Sequence, residues 1–466
     1  MRTPWFAVVA LGFTLLVAIE GHRGGLEQGS FKAFYCAGSA IASGANPYLV
    51  EPSRSCYHRV DTTTHIAPGG VEPAPLPGYA LAPFVLLSSL PVRTAQALFT
   101  VLLIAALITS AWLIGSLTRV PYAVVLLGLL PLGYLNIAYG EIPPLLLAAL
   151  TGAGYLLARR RWAWASVVAA GSMIEPHVGL AACLAMFLFV PRCRLPLLLC
   201  GVALAALSVA TLGIAENWAY LGAVLPSQAI AELVANDQYS LSRILSIAGV
   251  QDRTALLLGS LSYALMLALG VMLARRLARR LKAPELVIWF PAAAVLFGGT
   301  FVHDVQMIAA LPAAFALAAR ARRLQALAYG ALVALAFAWT LSAGRMEVLL
   351  SITSSVAIVA LGLAGAPHWR RLTVALSAGV VIAGALLIAQ YLVGADPGHA
   401  RSALLTASAS MPDALASVNW GAYLRAMPTL STPSLGIELL KLPTWAALIT
   451  LVIVASRQAP REARAS

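Results

Sequence analysis

The feature that most constrains this chain is a series of long apolar runs separated by short basic clusters. Of its 466 residues, 60% are hydrophobic and only 11% are charged. A soluble protein of this length has no core large enough to hide so much apolar surface. Runs of about 18 or more apolar residues are typical of helices that cross a membrane. The sequence therefore predicts an all-α, polytopic membrane protein.

The net charge of +13 does not indicate nucleic-acid binding, because the basic residues lie between the apolar runs. This is the pattern of cytoplasmic loops under the positive-inside rule. The main clusters are Arg159–Arg161, Arg192 with Arg194, Arg275–Lys282, Arg320–Arg323, Arg370–Arg371, and Arg457, Arg461 and Arg464.

Hydropathy predicts 14 membrane spans. When their connections are assigned alternately to the two sides of the membrane, basic and acidic residues fall mostly on opposite sides. With a cytoplasmic N-terminus, 20 of the 31 Lys and Arg residues face the cytoplasm, and every acid except Glu285 and Glu462 faces the other side. This segregation predicts that both termini are cytoplasmic. The spans are 5–20, 93–117, 121–138, 142–158, 162–176, 178–191, 195–214, 254–274, 284–301, 304–319, 324–343, 347–365, 372–394 and 442–456.

Three outer connections are long, at 21–92, 215–253 and 395–441, and they carry aromatics, prolines and most of the acids. Long connections inside a compact protein are usually functional or disordered, and this composition favours function. We therefore divide the chain into a membrane core, 1–394, and a C-terminal part, 395–466, containing an outer loop, the last span and a basic tail. The chemistry is expected on the extracytoplasmic face.

The first outer loop has a helical pattern of its own. Phe31, Phe34, Tyr35, Gly38 and Ile41 recur at spacings of three and four, which predicts a helix lying in the membrane interface. Residues 76–91 are too short and too rich in proline to span, so they are interpreted as a second interfacial or re-entrant segment.

Five segments in order resemble glycosyltransferase family 87, whose members are C-type glycosyltransferases that use polyprenyl-phosphate sugars. The resemblance covers about residues 1–345. The segments are FKAFYCAGSAIASGANPY (31–48), NIAYGEIPPLLLAAL (136–150), GSMIEPHVGLAA (171–182), NDQYSLSRIL (236–245) and GGTFVHDVQMIAALP (298–312).

This resemblance implies a C-type glycosyltransferase fold with about 12–14 transmembrane helices and interfacial helices in the first outer loop. It implies an inverting transfer of mannose or arabinofuranose from a polyprenyl-phosphate donor to a glycolipid or glycan acceptor, at the outer face of a bacterial inner membrane. No cofactor and no metal are expected. The chain departs from the family pattern at Ser30, where an aspartate is usual, at Glu175, where a lysine is usual, and near His303, where a tryptophan is missing.

Such a transfer needs one carboxylate to accept the proton of the acceptor hydroxyl. Glu27 and Asp304 are the predicted catalytic acids, the first because it lies three residues before Ser30 and the second because it follows His303. Glu72 and Asp61 are the next candidates. The alternative for Glu27 is an exposed loop acid with no catalytic role.

The leaving phosphate needs cations or N–H donors. Candidates at the outer helix ends are His303, His177, Lys32, Arg243 and Arg345. His177 could equally be an interfacial histidine with a satisfied hydrogen bond, and Lys32 could extend to the lipid headgroups. Predicted sugar or acceptor contacts are Asn236, Gln238, Ser240, Tyr35 and Tyr48, with turn or cap formation as the alternative for the first three.

Two other functions remain open. Fourteen spans also permit a secondary transporter or a flippase of lipid-linked sugars, and the missing acid at Ser30 permits an inactive relative that only binds the lipid. Cys36 and Cys56 both face the oxidising side, so a disulfide between them would fix the first loop.

Overall fold

The computed structural model describes residues 4–23, 26, 28–60, 70–321, 324–339, 345–364, 412–426 and 435–458. These residues form nineteen α-helices and no strand. The first ten helices are α1 Pro4–His22, α2 Gly29–Ala42, α3 Val50–Val60, α4 Gly78–Leu87, α5 Val92–Thr118, α6 Tyr122–Tyr139, α7 Pro143–Ala158, α8 Trp162–Gly171, α9 Pro176–Phe189 and α10 Arg194–Ala219. The others are α11 Leu225–Glu232, α12 Leu241–Ile247, α13 Asp252–Arg280, α14 Leu286–Val295, α15 Leu311–Arg320, α16 Gln325–Ala336, α17 Arg345–Ala364, α18 Ala416–Ala426 and α19 Leu435–Gln458.

Seven helical segments of the described chain are long and apolar enough to cross a membrane. They are Pro4–His22, Val92–Thr118, Tyr122–Tyr139, Pro191–Glu232, Asp252–Arg280, Met346–Leu363 and Glu438–Gln458. The predicted all-α, multi-pass membrane protein is confirmed. Most other predicted spans correspond to shorter apolar helices, including α7, α8, α9, α14 and α16. The predicted span 304–319 instead begins with the 3₁₀ helix Asp304–Ala310, and the predicted span 372–394 lies outside the described residues.

A break between α8 and α9 shortens two of these helices. The 3₁₀ turn Ser172–Ile174 ends α8, and Pro176 occupies the first turn of α9. A proline has no N–H to donate to the preceding turn and its ring clashes there, so a new helix begins at this residue. The break leaves Glu175 and His177 at the end of the helix rather than inside it.

The first outer loop contains the predicted helix, but its location differs from the prediction. Ten of the fourteen residues of α2 are buried inside the protein rather than lying at a membrane surface. The two helices α2 and α4 touch at Gly38, where any Cβ atom would collide with the backbone of Phe84. The expected disulfide is present, with the Cα atoms of Cys36 and Cys56 5.6 Å apart.

The C-terminal outer segment packs onto this loop. The Ala416 N–H donates to the Tyr48 carbonyl at 2.8 Å, and the Val50 N–H donates to the Ala414 carbonyl at 2.9 Å. Segments from the two ends of the chain therefore form one layer over the same end of the helical bundle.

The opposite end of the bundle is basic. Arg275, Arg276 and Arg279 lie there beside Phe189, where α9 and α13 end. The Nη2 atom of Arg320 contacts the buried carboxylate of Glu285 at 2.7 Å. The basic residues around Arg275 and Arg320 thus lie at the same end of the bundle, together with Glu285, as the charge pattern predicts.

Candidate functional site

A cavity of about 1640 Å³ opens at the end of the bundle opposite to the arginines. Helix-connecting segments from most of the chain form its wall, together with aromatic side chains. Eight carboxylates line the cavity, but only four lysines and histidines do. The acids are Glu20, Glu72, Glu141, Glu175, Glu232, Asp237, Asp304 and Glu347, and the basic residues are Lys32, His177, His303 and Lys441.

A left-handed turn at Gly140 directs Glu141 into this cavity. Gly140 has φ of +74°, which a residue with a side chain adopts at a cost, and a Cβ there would also press against Phe31. The turn lets the Glu141 N–H donate back to the Asn136 carbonyl at 2.8 Å, which ends α6 in the manner of a glycine cap. Glu141 then precedes the first turn of α7, where the helix dipole favours an acid.

Ser30 joins two of the acids. Its Oγ atom lies 2.5 Å from Oε1 of Glu72 and 2.7 Å from Oε1 of Glu141. A hydroxyl has one hydrogen to donate, so it can satisfy only one ionised carboxylate at a time. The second contact is a hydrogen bond only if that carboxyl group holds a proton and donates to Oγ. The arrangement is therefore a carboxyl pair that shares protons through Ser30.

The environment of the pair favours retention of a proton. Burial is the main cause that raises the pKa of Glu72 to about 8; the Ser30 hydrogen bond opposes it and the charge of Glu141 adds to it. Burial raises the pKa of Glu141 as well. Gly29 makes room for the Glu72 carboxylate, because a Cβ at that position would meet its Oε2 atom. Near neutral pH, the pair can thus accept a proton that an ordinary surface carboxylate would not hold.

A second cluster forms where two extended segments meet. The Tyr239 N–H donates to the Val302 carbonyl at 2.7 Å, and the Asp304 N–H donates to the Asp237 carbonyl at 3.2 Å. This pairing places the His303 ring 3.1 Å from Oδ2 of Asp237, measured at Nδ1.

Each nitrogen of the His303 ring has a carboxylate nearby. Its Nε2 atom is 3.8 Å from Oε2 of Glu232, and its Nδ1 atom faces Asp237. Burial alone would lower the pKa of the ring, but Asp237 and Glu232 raise it well above its ordinary value. The Gln238 Oε1 accepts the Val302 N–H, and its NH₂ group faces Nε2 at 3.1 Å.

The break before α9 supplies a third polar group. Glu175 accepts a hydrogen bond from Nε2 of Gln306 at 3.1 Å, and its carboxylate lies 3.8 Å from Nδ1 of His177. The N-termini of α7 and α9 and the 3₁₀ turn at Asp304 all begin at the cavity wall. Their backbone N–H groups and dipoles favour negative charge.

One side of the wall is apolar and continuous with the outer surface. Leu180, Leu221 and Leu257 line the cavity although they are 44%, 56% and 60% exposed. Leu221 and Leu257 belong to segments that are long and apolar enough to cross a membrane, and Leu180 belongs to the shorter apolar helix α9. The cavity is therefore open at one side, between apolar helices.

Aromatic side chains from the C-terminal segment close another part of the wall. The rings of Trp420 and Tyr423 stack with centroids 5.2 Å apart and planes 12° apart, and both line the cavity. The Trp420 Nε1–H donates to Oε1 of Glu232 at 3.1 Å, which fixes the ring beside the second cluster. Flat aromatic surfaces of this kind suit the apolar faces of sugars.

The structure brings five of the twelve predicted site residues to this wall, in addition to the further candidate acid Glu72. The five are Asp304, His303, His177, Lys32 and Asn236. Asp304 is buried, and its Oδ1 accepts the Val305 N–H at 2.7 Å. One of its carboxylate oxygens therefore stabilises the 3₁₀ turn. The predicted base Glu27 and the candidate Asp61 lie outside the described residues, as does the side chain of Arg345; their roles stay predictions.

The other predicted residues lie behind the wall, which differs from the prediction. Arg243 is 1% exposed and donates to the Leu233 carbonyl at 2.7 Å and to Oδ1 of Asn236 at 2.8 Å, so its guanidinium supports the wall and is not presented to a phosphate. The Ser240 hydroxyl caps α12 by accepting the Arg243 N–H. Gln238 orients His303 from outside the cavity.

The two predicted tyrosines also point away from the cavity. The Tyr35 hydroxyl donates to the Leu90 carbonyl at 2.8 Å, and the Tyr48 hydroxyl donates to the Leu76 carbonyl at 2.7 Å. Both hydroxyls tie the first outer loop together, because a buried O–H requires an acceptor.

Several wall residues, among them Glu232, Asp237 and Trp420, were not predicted from the sequence. Asp237 lies in the segment 236–245 but was not singled out, and its partner His303 is 66 residues away. Trp420 and its partner Glu232 are 188 residues apart. Their one sequence signal was that each lies in a long outer connection. No family model, curated protein or solved structure matches this chain.

Proposed function

We propose that this protein is a membrane glycosyltransferase that moves a sugar, mannose or arabinofuranose, from a polyprenyl-phosphate donor to a hydroxyl of an envelope glycolipid or glycan. The observation that carries the proposal is the cavity, which combines a proton-sharing carboxyl pair with a lateral opening between apolar helices. The sequence resemblance to glycosyltransferase family 87, which implies a C-type fold, is consistent with this arrangement.

The lateral opening suits a donor that stays in the membrane. A polyprenyl chain can lie along Leu180, Leu221 and Leu257 while its phosphate and sugar enter the polar part of the cavity. A soluble nucleotide sugar would gain nothing from this apolar surface.

The chemistry is a single displacement at the anomeric carbon. The acceptor oxygen forms the new bond to that carbon, the bond to the phosphate oxygen breaks, and the phosphate leaves with the electron pair. The hydroxyl proton passes to the Glu72–Ser30–Glu141 unit. Lys32, His177 and the N-terminus of α9 face the phosphate charge that develops.

This assignment replaces the missing aspartate of the family pattern with acids from other segments. Ser30 occupies the expected acidic position, yet its hydroxyl contacts two carboxylates. A single aspartate and this three-residue unit can do the same work, because either places a proton acceptor at one point of the wall. Asp304 and Glu27 remain the alternatives.

We also propose that the cavity faces the extracytoplasmic side of a bacterial inner membrane. The arginine-rich end of the bundle corresponds to the cytoplasmic side under the positive-inside rule. Nucleotide sugars are confined to the cytoplasm, so an outward-facing transferase requires a lipid-linked donor.

The test is a transfer assay with the purified protein in nanodiscs. Radiolabelled polyprenyl-phosphate mannose and arabinofuranose are supplied with envelope glycolipid extract, and products are separated by thin-layer chromatography and mass spectrometry. We expect a glycolipid product whose formation depends on the protein and which Glu72→Gln reduces strongly. No product with either donor, while a family 87 enzyme is active in the same assay, would refute the proposal; donor binding without transfer would instead identify an inactive relative.

A transporter is the second candidate, and one observation favours it. Glu175 and His177 lie at a broken helix and line the central cavity, as ionisable residues of transporters do. Proteoliposomes separate the two functions. A transporter moves a labelled lipid-linked sugar between leaflets without an acceptor, whereas a transferase consumes the donor only when the acceptor is present.

A further inference from the structure

The cluster of Glu232, Asp237 and His303 combines the ligand types that divalent metal ions prefer. One nitrogen or oxygen atom from each residue lies within 4.8 Å of the others. Ligands of one ion are separated by about 3 Å when adjacent and up to about 5 Å when opposite, given bond lengths of about 2.0–2.6 Å. The three groups can therefore meet one ion after small side-chain adjustments.

An unsatisfied oxygen lies next to this cluster. Gln228 is 4% exposed, lines the same cavity, and donates from Nε2 to Oε1 of Glu232 at 2.8 Å. Its Oε1 atom is buried with no hydrogen-bond partner. A buried acceptor without a donor is costly, and an amide oxygen is a good ligand for a hard or borderline cation. The Gln228 oxygen is thus a potential fourth ligand beside the three clustered groups.

We propose that Glu232, Asp237 and His303, with Gln228 beside them, bind a divalent cation. Mixed carboxylate and imidazole ligands suit Mn²⁺ or Zn²⁺ better than Mg²⁺. The consequence for chemistry, which rests on the proposed function, is that the ion lets a cavity lined by eight acids receive an anionic phosphate. The binding site itself does not depend on which reaction the protein catalyses.

No motif in the sequence indicates this site. Glu232 and Asp237 are five residues apart, but His303 follows 66 residues after Asp237. The ligands come together only because the segments around Tyr239 and Val302 pair.

The experiment measures metal binding by the full-length protein in nanodiscs, without any sugar donor. After treatment with a chelator and buffer exchange, Mn²⁺ is titrated and the free ion is followed by electron paramagnetic resonance, with Zn²⁺ as competitor. We expect one saturable site per chain that Zn²⁺ displaces. Glu232→Gln should weaken Mn²⁺ binding at least about tenfold.

Glu347→Gln is the matched control, because Glu347 lines the same cavity but does not belong to the cluster. It should bind Mn²⁺ as the unchanged protein does, and thermal unfolding shows whether each variant is folded. Absence of saturable binding, or equal binding by the Glu232→Gln and Glu347→Gln variants, would overturn the proposal and leave His303 as the charged partner of the acids. Loss of sugar transfer with intact Mn²⁺ binding would count against the transferase only.

Discussion

Replacement of Ser30 and of Glu141 should move the pH dependence of catalysis in opposite directions. Glu72 loses its proton with a pKa of about 8, against an ordinary value of 4.5. At pH 6 about 1% of a group with this pKa is ionised, and at pH 9 about 90% is. If the pair accepts the acceptor proton, kcat/KM should therefore rise about tenfold per pH unit below pH 8 and then level off.

Each neighbour of Glu72 shifts the pKa of this residue in a definite direction. Burial raises its pKa most, the Ser30 hydrogen bond and Lys32 lower it, and the charges of Glu141 and Glu232 raise it. Ser30→Ala removes a hydrogen-bond donor to the ionised Glu72 carboxylate, so its pKa should rise. The rising part of the plot of kcat/KM against pH, here called the acid limb, should therefore move to higher pH. Glu141→Gln removes a negative charge, so the limb should move to a pH between 4.5 and 8, because burial still acts.

The assay is the transfer reaction measured from pH 5 to pH 10 at low donor concentration, with thermal unfolding recorded at each pH. Glu72→Gln should abolish the limb and reduce the rate about 10²–10⁴-fold. The reasoning is refuted if Ser30→Ala and Glu141→Gln shift the limb in the same direction, or if Glu72→Gln keeps the profile of the unchanged protein.

Three further predictions concern the fold and the lateral opening. Gly38→Ala should destabilise the protein by about 1–3 kcal/mol, because the new methyl group meets the α4 backbone. Gly12→Ala is the control and should not destabilise it, because the space around Gly12 is open. Thermal unfolding compares the two variants. Cys36→Ser should lower the free energy of unfolding by about 3 kcal/mol, and a reductant should lower it for the unchanged protein but not for the variant. Leu257→Asn should raise KM for a long-chain donor more than for a short-chain analogue, whereas Leu258→Asn, next to it but not on the cavity wall, should leave that ratio unchanged.

The sequence predicted the elements whose signal is local. The apolar runs of α5 and α13 and the helical spacing of Phe31 and Phe34 are local signals, so they could be recognised directly. The burial of α2 could not, because it depends on contact with α4 at Gly38, and amphipathic spacing is the same at a membrane surface and inside a protein.

The candidate site likewise has features with a local sequence signal and features that depend on long-range contacts. Charge segregation predicted which end of the bundle carries the acids, since topology is set by short-range rules. The partners of those acids were not predictable, because Ser30 and Glu141 are 111 residues apart and nothing in either segment specifies the other. Arg243 illustrates the error: its position in an outer loop suggested a phosphate ligand, but its guanidinium satisfies the Leu233 carbonyl and Asn236 instead.

The layer beneath the cavity bears on the choice between transfer and transport. All ten residues of α14 are buried and apolar, and this helix runs from Glu285 at the basic end to the segment at Gly299 that lines the cavity. Trp289 in this layer uses its Nε1–H for the Leu150 carbonyl at 2.9 Å, so it presents no polar group to a passing solute. A polar substrate would have to part this layer and the Glu285–Arg320 ion pair to reach the other side. A cavity with its acids at one end and an apolar layer beneath it needs no such movement to bring a lipid-linked sugar and an acceptor together, which is why transfer is the function that the geometry supports best.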